Sequence, residues 1–363
     1  MSETVVIAAG GTGGHISPGI GLAEILSTQK EKFGIAKVFI HSLERNRSNP
    51  DLQEAPCEIL WHNTPPITKK LLIWPFSFLL NVLRTFLKFN RLSIDVVIVM
   101  GGYSSLPAVL YARLFSKKLY LCEQNCVIGK LNRYFLKKAT AISFAFPPVN
   151  FKSPSIRNAI LGNPLRNKIF PNSSGVKEYT FAKKEKLNVL VMGGSQGARQ
   201  INHIILDSMG HPELSKTCVF RILTGNNLYE DTLQKLKSST PKENIIPYAN
   251  DMKLHYEWAD LVIARSGAGV VSECMAYRLP MILIPYPYAA DNHQLANAEY
   301  CKEKGAAYII EQKDEDNSRL LEIILDLGEN REKLSAMSEA AWQIANLNAA
   351  EDTASFFFGR SDA

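Results

Sequence analysis

Twice in this chain an apolar run of strand length breaks into a glycine-rich turn and resumes as a helix-compatible segment, and no other feature constrains the fold as tightly. Val5-Val6-Ile7-Ala8-Ala9 leads into Gly10-Gly11-Thr12-Gly13-Gly14-His15, and Leu187-Asn188-Val189-Leu190-Val191-Met192 leads into Gly193-Gly194-Ser195-Gln196-Gly197-Ala198-Arg199. Each is how a buried parallel strand hands over to a helix. A second copy of the opening unit implies two similar domains, and 363 residues suffice for two cores. The boundary is expected near Gly162-Asn163-Pro164, dividing the chain into residues 1–164 and 165–344. A last helix is expected over about 336–358, with the segment from about 345 to 363 able to fold back on the first domain. Further strands expected at 37–41, 95–100, 119–122, 141–146, 218–223, 244–247, 261–264, 281–284 and 307–310 alternate with helical material. That alternation is the pattern of an α/β chain with a doubly wound parallel sheet in each half.

The opening turn is not a dinucleotide fingerprint, because Ile16 stands where the third glycine belongs and the loop carries His15 instead. This disfavours a dehydrogenase. The chemistry is clearest at residues 264–297. There Leu261-Val262-Ile263-Ala264 breaks into Ser266-Gly267-Ala268-Gly269 and a helix follows. A helix start offers N–H groups to an anion, and Glu273, about two turns in, offers a carboxylate to a vicinal diol such as a ribose. Phosphate and ribose together mean a nucleotide. Beyond the next strand come the amides of Asn292, Gln294 and Asn297, which suit sugar hydroxyls. The glycine or amide turns at 10–15, 101–105, 123–125, 193–199 and 266–273 all follow strands, so they are expected to converge on a crevice between the domains.

Hydrophobic content of 46% and charged content of 21% exclude a disordered or integral-membrane chain. The net charge of +6 is uneven: up to Pro164 there are 19 Lys and Arg against 9 Asp and Glu, and beyond it 22 against 26. The basic first half points to an anionic partner. Six scattered cysteines without a Cys-x-x-Cys pair argue against a disulfide framework or zinc site and for a reducing compartment. The N-terminus enters a strand directly, so no export signal is expected.

Between Glu58 and Asp95 there is no acidic residue, while Lys69, Lys70, Arg84, Lys88 and Arg91 flank the apolar run 71–83 and Phe86, Leu87 and Phe89. A helix starting at Pro75 would carry a narrow polar strip of Ser77, Asn81, Arg84, Thr85 and Lys88, leaving more apolar surface than one sheet can cover. The run is too short to span a bilayer, so the helix is expected to lie on an anionic membrane surface. Aliphatic bulk without a recognition module argues against nucleic acid.

In order along the chain, Gly10 to His15, Gly101-Gly102-Tyr103, Glu123-Gln124-Asn125, Gly162-Asn163-Pro164-Leu165-Arg166, Gly193 to Arg199, Arg265-Ser266-Gly267-Ala268 and residues 291–298 resemble the MurG family of glycosyltransferases. The resemblance covers nearly the whole chain; each motif is weak alone, but the ordered set is specific. It implies a GT-B fold, two Rossmann-like domains facing across a cleft, acting at the cytoplasmic face of the bacterial inner membrane as a peripheral protein. It implies inverting transfer of N-acetylglucosamine from UDP-N-acetylglucosamine to the 4-hydroxyl of the lipid I acceptor, undecaprenyl-pyrophosphoryl-N-acetylmuramoyl-pentapeptide, in peptidoglycan synthesis. Carried over by position, Thr12, Gly13, Gly14, Asn125, Arg166, Ser195 and Gln294 would contact the donor, and Ala249 the uracil through its backbone. Ala268, Gly269, Val270, Val271, Ser272 and Glu273 would hold phosphate and ribose, and Tyr103, Glu123 and Asn125 would face the acceptor.

The family usually has His before Glu-Gln-Asn; here it is Cys122, so no role transfers to that position. Attention falls on His15 as general base, with Glu123 as its rival, because the attacking hydroxyl must lose its proton. Leaving-group charge would be met by N–H groups near Ser195 and at 266–268, with Arg199 or Arg265 assisting. Neither a cofactor nor a metal is expected, and Asp314-Glu315-Asp316 is read as solvated loop. The remaining histidines are read as surface or packing residues. Three alternatives stay open. They are a UDP-N-acetylglucosamine 2-epimerase, a transferase to another glycolipid, and a nucleotide-sugar-binding membrane scaffold without turnover.

Overall fold

A computed structural model describes residues 2–11, 13–65, 74–149, 151–152, 155–170, 185–194, 197–236, 242–249, 251–311 and 318–359. The chain divides into two compact units, Met1–Asn167 with Asn346–Ala363, and Lys168–Ala345.

The first unit runs β1 (Glu3–Ala8), α1 (Gly13–Thr28), α2 (Lys30–Phe33), β2 (Ile35–Leu43), α3 (Pro50–Gln53), β3 (Glu58–His62) and α4 (Trp74–Arg91). It continues with β4 (Val96–Val99), α5 (Leu106–Leu114), β5 (Lys118–Glu123), α6 (Lys130–Phe135), β6 (Ala141–Phe144) and β7 (Arg157–Ile160). The second unit runs β8 (Leu187–Met192), α7 (Arg199–Met209), α8 (Pro212–Thr217), β9 (Cys218–Leu223), α9 (Tyr229–Gln234), β10 (Ile245–Ile246) and α10 (Met252–Trp258). Then come β11 (Leu261–Ala264), α11 (Ala268–Ala276), β12 (Met281–Leu283), α12 (His293–Glu303), β13 (Ala307–Ile309), α13 (Ser318–Glu329) and α14 (Arg331–Gln343). The chain then rejoins the first unit as α15 (Ala349–Phe358).

Both sheets are parallel throughout, ordered β3-β2-β1-β4-β5-β6-β7 and β10-β9-β8-β11-β12-β13. Val6 faces Phe39 and Val97 across β1, and Val191 faces Ile222 and Ile263 across β8. These central strands read as unbroken apolar runs because helices cover both faces, which is what a fully buried parallel strand requires. In the first unit one face packs on α1 and α15 through Ile20, Leu26, Ala354 and Phe357, and the other on α4 and α5 through Phe89, Val109 and Tyr111.

Three departures from the sequence reading have plain causes. β3 and β7 were not expected; both are edge strands, and β7 is largely exposed and so lacks an apolar signature. The single helix expected over 336–358 is broken between Gln343 and Ala349, where Asn346 Nδ2 donates to Leu161 O and Asp352 Oδ2, each at 2.8 Å. On α4 the polar strip is divided. Asn81 and Thr85 face inward, Asn81 Nδ2 donating to Thr64 Oγ1 at 2.7 Å, while Arg84 and Lys88 are exposed.

Candidate active site

In an open parallel sheet, ligands bind beyond the carboxyl ends of the strands where the strand order reverses. Here that is between β1 and β4 in the first unit and between β8 and β11 in the second. Four of the five turns singled out from sequence leave β1, β4, β8 and β11 at these two places, and the fifth, at 123–125, leaves the neighbouring β5.

In the first unit, Ser105 ties the β1 and β4 loops together: its Oγ donates to Ala8 O at 3.1 Å and to Gly101 O at 2.8 Å. Gly101 and Gly102 have φ of +104° and +75°, a backbone that side chains rarely tolerate. The His15 imidazole lies over them: a Cβ on Gly101 would stand 3.1 Å from His15 Nε2, and one on Gly102 3.5 Å from His15 Cε1. His15 is half-buried, Gly13 and Gly14 are exposed beside it, and Tyr103 follows the glycines half-buried. Thr12 lies outside the described residues.

Glu123 ends β5 and is buried. Its Oε1 accepts from Asn125 N at 3.2 Å and Asn125 Nδ2 at 3.4 Å, and its Oε2 accepts from Gly129 N and Asn132 Nδ2, each at 2.9 Å. Burial pushes its carboxyl up while these four donors pull it down. A carboxylate so occupied shapes the loop that presents Asn125; of the two candidate bases, only His15 lines the turn. Cys122 is buried in the core against α1, and burial drives its thiol up to about 12, so it is chemically inert. Arg166 is buried and ion-paired to Asp51, beside the Asn167 N to Glu24 Oε2 bond of 2.7 Å that lays this segment along α1.

In the second unit, β11 hands over to α11 through Arg265-Ser266-Gly267. Gly267 and Gly269 have ordinary backbone angles, and a Cβ on either would meet nothing within 4 Å. Neither the backbone nor the protein interior demands glycine there; open space over an anion-attracting helix start does. Val270 is half-buried in the first turn of α11, whereas Val271 and Ser272 are buried and the Val271 N–H already donates to Gly267 O at 3.1 Å, so the helix start meets a ligand through the first-turn N–H groups. Glu273 is 9% exposed and accepts from the buried Tyr256 hydroxyl at 2.7 Å. Ala249 is half-buried just ahead of α10, next to exposed Tyr248. Ser195 lies outside the described residues, as do Lys69, Lys70, 71–73 and 314–316.

Two expectations from sequence are corrected. Asn297 does not read sugar: it is fully buried, and its Nδ2 donates to Ser266 O at 3.0 Å to brace the turn. Arg265 Nη1 donates to Ile284 O and Pro285 O, both at 3.0 Å, so its guanidinium supports the β12 exit rather than a leaving group. Gln294 stays half-buried at the start of α12; its Oε1 accepts from Tyr286 N at 2.9 Å and its carbonyl from Ser266 Oγ at 2.7 Å. Arg199 is exposed at the start of α7 with its Nε 3.5 Å from Asp231 Oδ2. Sequence reading missed Tyr256, Asn132 and Asp51, and it did not foresee the tie that Ser105 makes between two loops. A buried tyrosine or amide needs a polar partner, but that rule does not say which partner.

Among the described residues no group of three His, Cys, Asp or Glu is placed to hold a metal ion, and no helix is long and apolar enough to cross a membrane. Residues 5–144 match the glycosyltransferase family 28 N-terminal domain and residues 188–355 the family 28 C-terminal domain. A Leptospira interrogans protein named UDP-N-acetylglucosamine–N-acetylmuramyl-(pentapeptide) pyrophosphoryl-undecaprenol N-acetylglucosamine transferase is 49% identical over 98% of this chain and 99% of its own. A Francisella tularensis protein of the same name is 34% identical over 96% and 95%. The crystal structure of Acinetobacter baumannii MurG superposes with a TM-score of 0.76 at 27% identity, covering 98% of both chains.

Proposed function

The chain belongs to glycosyltransferase family 28, among the transferases that share the name of its Leptospira relative, and from that premise we propose the reaction it carries out. It transfers N-acetylglucosamine from UDP-N-acetylglucosamine to the 4-hydroxyl of the undecaprenyl-pyrophosphoryl muramoyl-pentapeptide, with inversion, for peptidoglycan synthesis. The observation that carries this reading is the open helix start at Gly267 to Gly269 with Glu273 behind it, at the strand reversal of the second sheet.

In this reading the N–H groups at the start of α11 face the donor pyrophosphate, Glu273 accepts the ribose hydroxyls, and the backbone at Ala249 reads the uracil. Gln294 and, by family resemblance, Thr12, Gly13, Gly14, Asn125, Arg166 and Ser195 complete the donor contacts. Tyr103 and Asn125 face the acceptor, with Glu123 shaping the loop that presents Asn125. The acceptor oxygen attacks the anomeric carbon from the face opposite the phosphate and its proton passes to His15. As the new C–O bond forms, the bond to phosphate breaks and UDP departs with the electron pair. Helix-start N–H groups are set for the charge that grows on that phosphate, which is where fixed dipoles lower a barrier most.

In this reading the enzyme works at the cytoplasmic face of the inner membrane, and the outward face of α4 is the surface that meets it. Phe76, Leu79, Leu80, Leu83 and Leu87 are 48–76% exposed there, beside exposed Arg84, Lys88 and Arg91. Aliphatic area with adjacent cations suits an anionic bilayer surface.

The direct test is transfer of radiolabelled N-acetylglucosamine from UDP to a short-chain lipid I analogue, with and without chelator. Transfer that persists in chelator is expected. No transfer under any metal condition, with UDP-sugar binding intact, would reject the acceptor; an epimerised sugar formed without acceptor would favour the epimerase reading.

A further inference from the structure

A carboxylate that reads a ribose has to be held facing outward, and the second unit contains a group suited to hold it. Tyr256 lies on α10 with its ring fully buried, and its hydroxyl donates to Glu273 Oε2 at 2.7 Å. The Met192 sulfur, at the end of β8, is 3.9 Å from the same hydroxyl. The phenol oxygen therefore lies at the β8/β11 reversal, behind the helix start that faces the diphosphate. Tyr277 packs against the ring at a centroid distance of 5.2 Å, and Asp251 caps the helix that carries it through Lys253 N at 3.0 Å. Burial, then the neighbouring Glu273 charge, push the phenol far above its usual range, so it remains an O–H donor at any working pH.

We propose that Tyr256 is a positioning residue for donor recognition: it holds Glu273 in the orientation that accepts both ribose hydroxyls, and so sets the preference for a ribonucleoside over a 2′-deoxyribonucleoside diphosphate. The inference rests on the reading of Glu273 as the ribose acceptor. An ionised carboxylate has about four lone-pair sites. The Tyr256 bond fixes the plane of the group from behind, which sets how the carboxylate presents itself to a diol in front. Without that bond the carboxylate loses the contact that sets its plane, and a turn of that plane spoils the pair of hydrogen bonds to the diol.

The test is Tyr256→Phe in the full chain, with affinities for UDP and 2′-deoxy-UDP measured by calorimetry. The change removes one oxygen and keeps the ring in the core. UDP affinity is expected to fall about tenfold and 2′-deoxy-UDP affinity far less, so the ratio between them shrinks, while kcat for sugar transfer holds and KM for the donor rises. In a Glu273→Ala background, Tyr256→Phe should cost UDP nothing further. Equal weakening of both nucleotides, or a full additional loss in the Glu273→Ala background, would overturn the proposal by showing that the phenol serves the fold alone. If Glu273→Ala itself leaves the UDP to 2′-deoxy-UDP ratio unchanged, the ribose reading fails instead. A ratio lost in Glu273→Ala but kept in Tyr256→Phe refutes the role of Tyr256 by itself.

Discussion

Gly269 separates what the fold needs from what the ligand needs. It sits in the first turn of α11 with nothing within 4 Å of the Cβ it lacks, so alanine is sterically welcome and intrinsically better in a helix. Gly269→Ala is expected to leave stability unchanged or raise it by up to about 1 kcal/mol. It should weaken UDP-sugar binding about tenfold or more, because the new methyl occupies space the diphosphate must approach. A thermal melt and a donor KM on the same preparation decide it, and an unchanged KM would remove the diphosphate from this helix start. For His15→Ala the expected split runs the other way, with UDP affinity kept and kcat lowered on the order of 10²- to 10⁴-fold, the usual worth of a positioned base. Near-normal turnover would pass the role to another group. The strand-to-helix turns that carry the candidate residues were legible in sequence, because a glycine turn after an apolar run fixes where backbone N–H groups must point. The misread side chains were amides and cations. Asn297 and Arg265 carry the same hydrogen-bonding groups whether they face a sugar or a backbone carbonyl, and only the fold decides which they meet.

At the scale of elements, central strands were readable because both faces are buried, whereas edge strands β3 and β7 were not. Helix α4 was found, but its inward side was misjudged, since periodicity shows that a helix is two-faced without saying which face turns in. Part of what lies beneath α4 is a stacked pair of histidines, His41 and His62, with ring centroids 3.9 Å apart; Phe89 is edge-on to His41 and Thr64 Oγ1 is 2.7 Å from His62 Nδ1. Burial, then Lys88, lower His62 to about 4, and burial with His62 and Lys88 lowers His41 well below its usual range. Between about 6.5 in the unfolded chain and about 4 in the folded one, the unfolded state binds the proton and the native state does not. Stability from this site is therefore full above about pH 6.5 and lost as the pH falls toward 4, on the order of 3 kcal/mol for His62. Denaturant melts of the native protein and of His62→Gln across pH 4–7 should show a shallower slope in the variant; parallel slopes would dismiss the pair as the source. The outer face of α4 carries a separate expectation: replacing Leu79 and Leu83 by Glu should abolish co-sedimentation with anionic vesicles while preserving turnover on a water-soluble acceptor analogue. Retained sedimentation would assign membrane contact elsewhere.

At the scale of the molecule, the two units differ in how their chain is arranged. The second is one continuous segment, Lys168–Ala345, whereas the first is completed only by residues 346–363. What α15 contributes to it is substantial: Phe357 stacks on Tyr120 at 4.4 Å, Ala354 and Thr353 are fully buried, and Arg157 Nη2 donates to Phe356 O at 2.6 Å. At Gly162 the returning chain leaves little room, since a Cβ there would stand 3.0 Å from Asn346 Cβ. Truncating Phe357 alone to Ala should cost about 3–5 kcal/mol, a large share of a domain's total stability. Residues 168–345 expressed alone should thus fold and bind UDP, though more weakly than the whole chain. Residues 1–167 alone should be open to protease and lack a cooperative melt, and adding residues 346–363 through a short flexible linker should restore both. If 1–167 melts cooperatively without the helix, α15 is an accessory to the first unit rather than part of its core. If the linked version also fails to fold, the first unit depends on the second for its stability, and the division at residue 167 marks a seam in one folding unit.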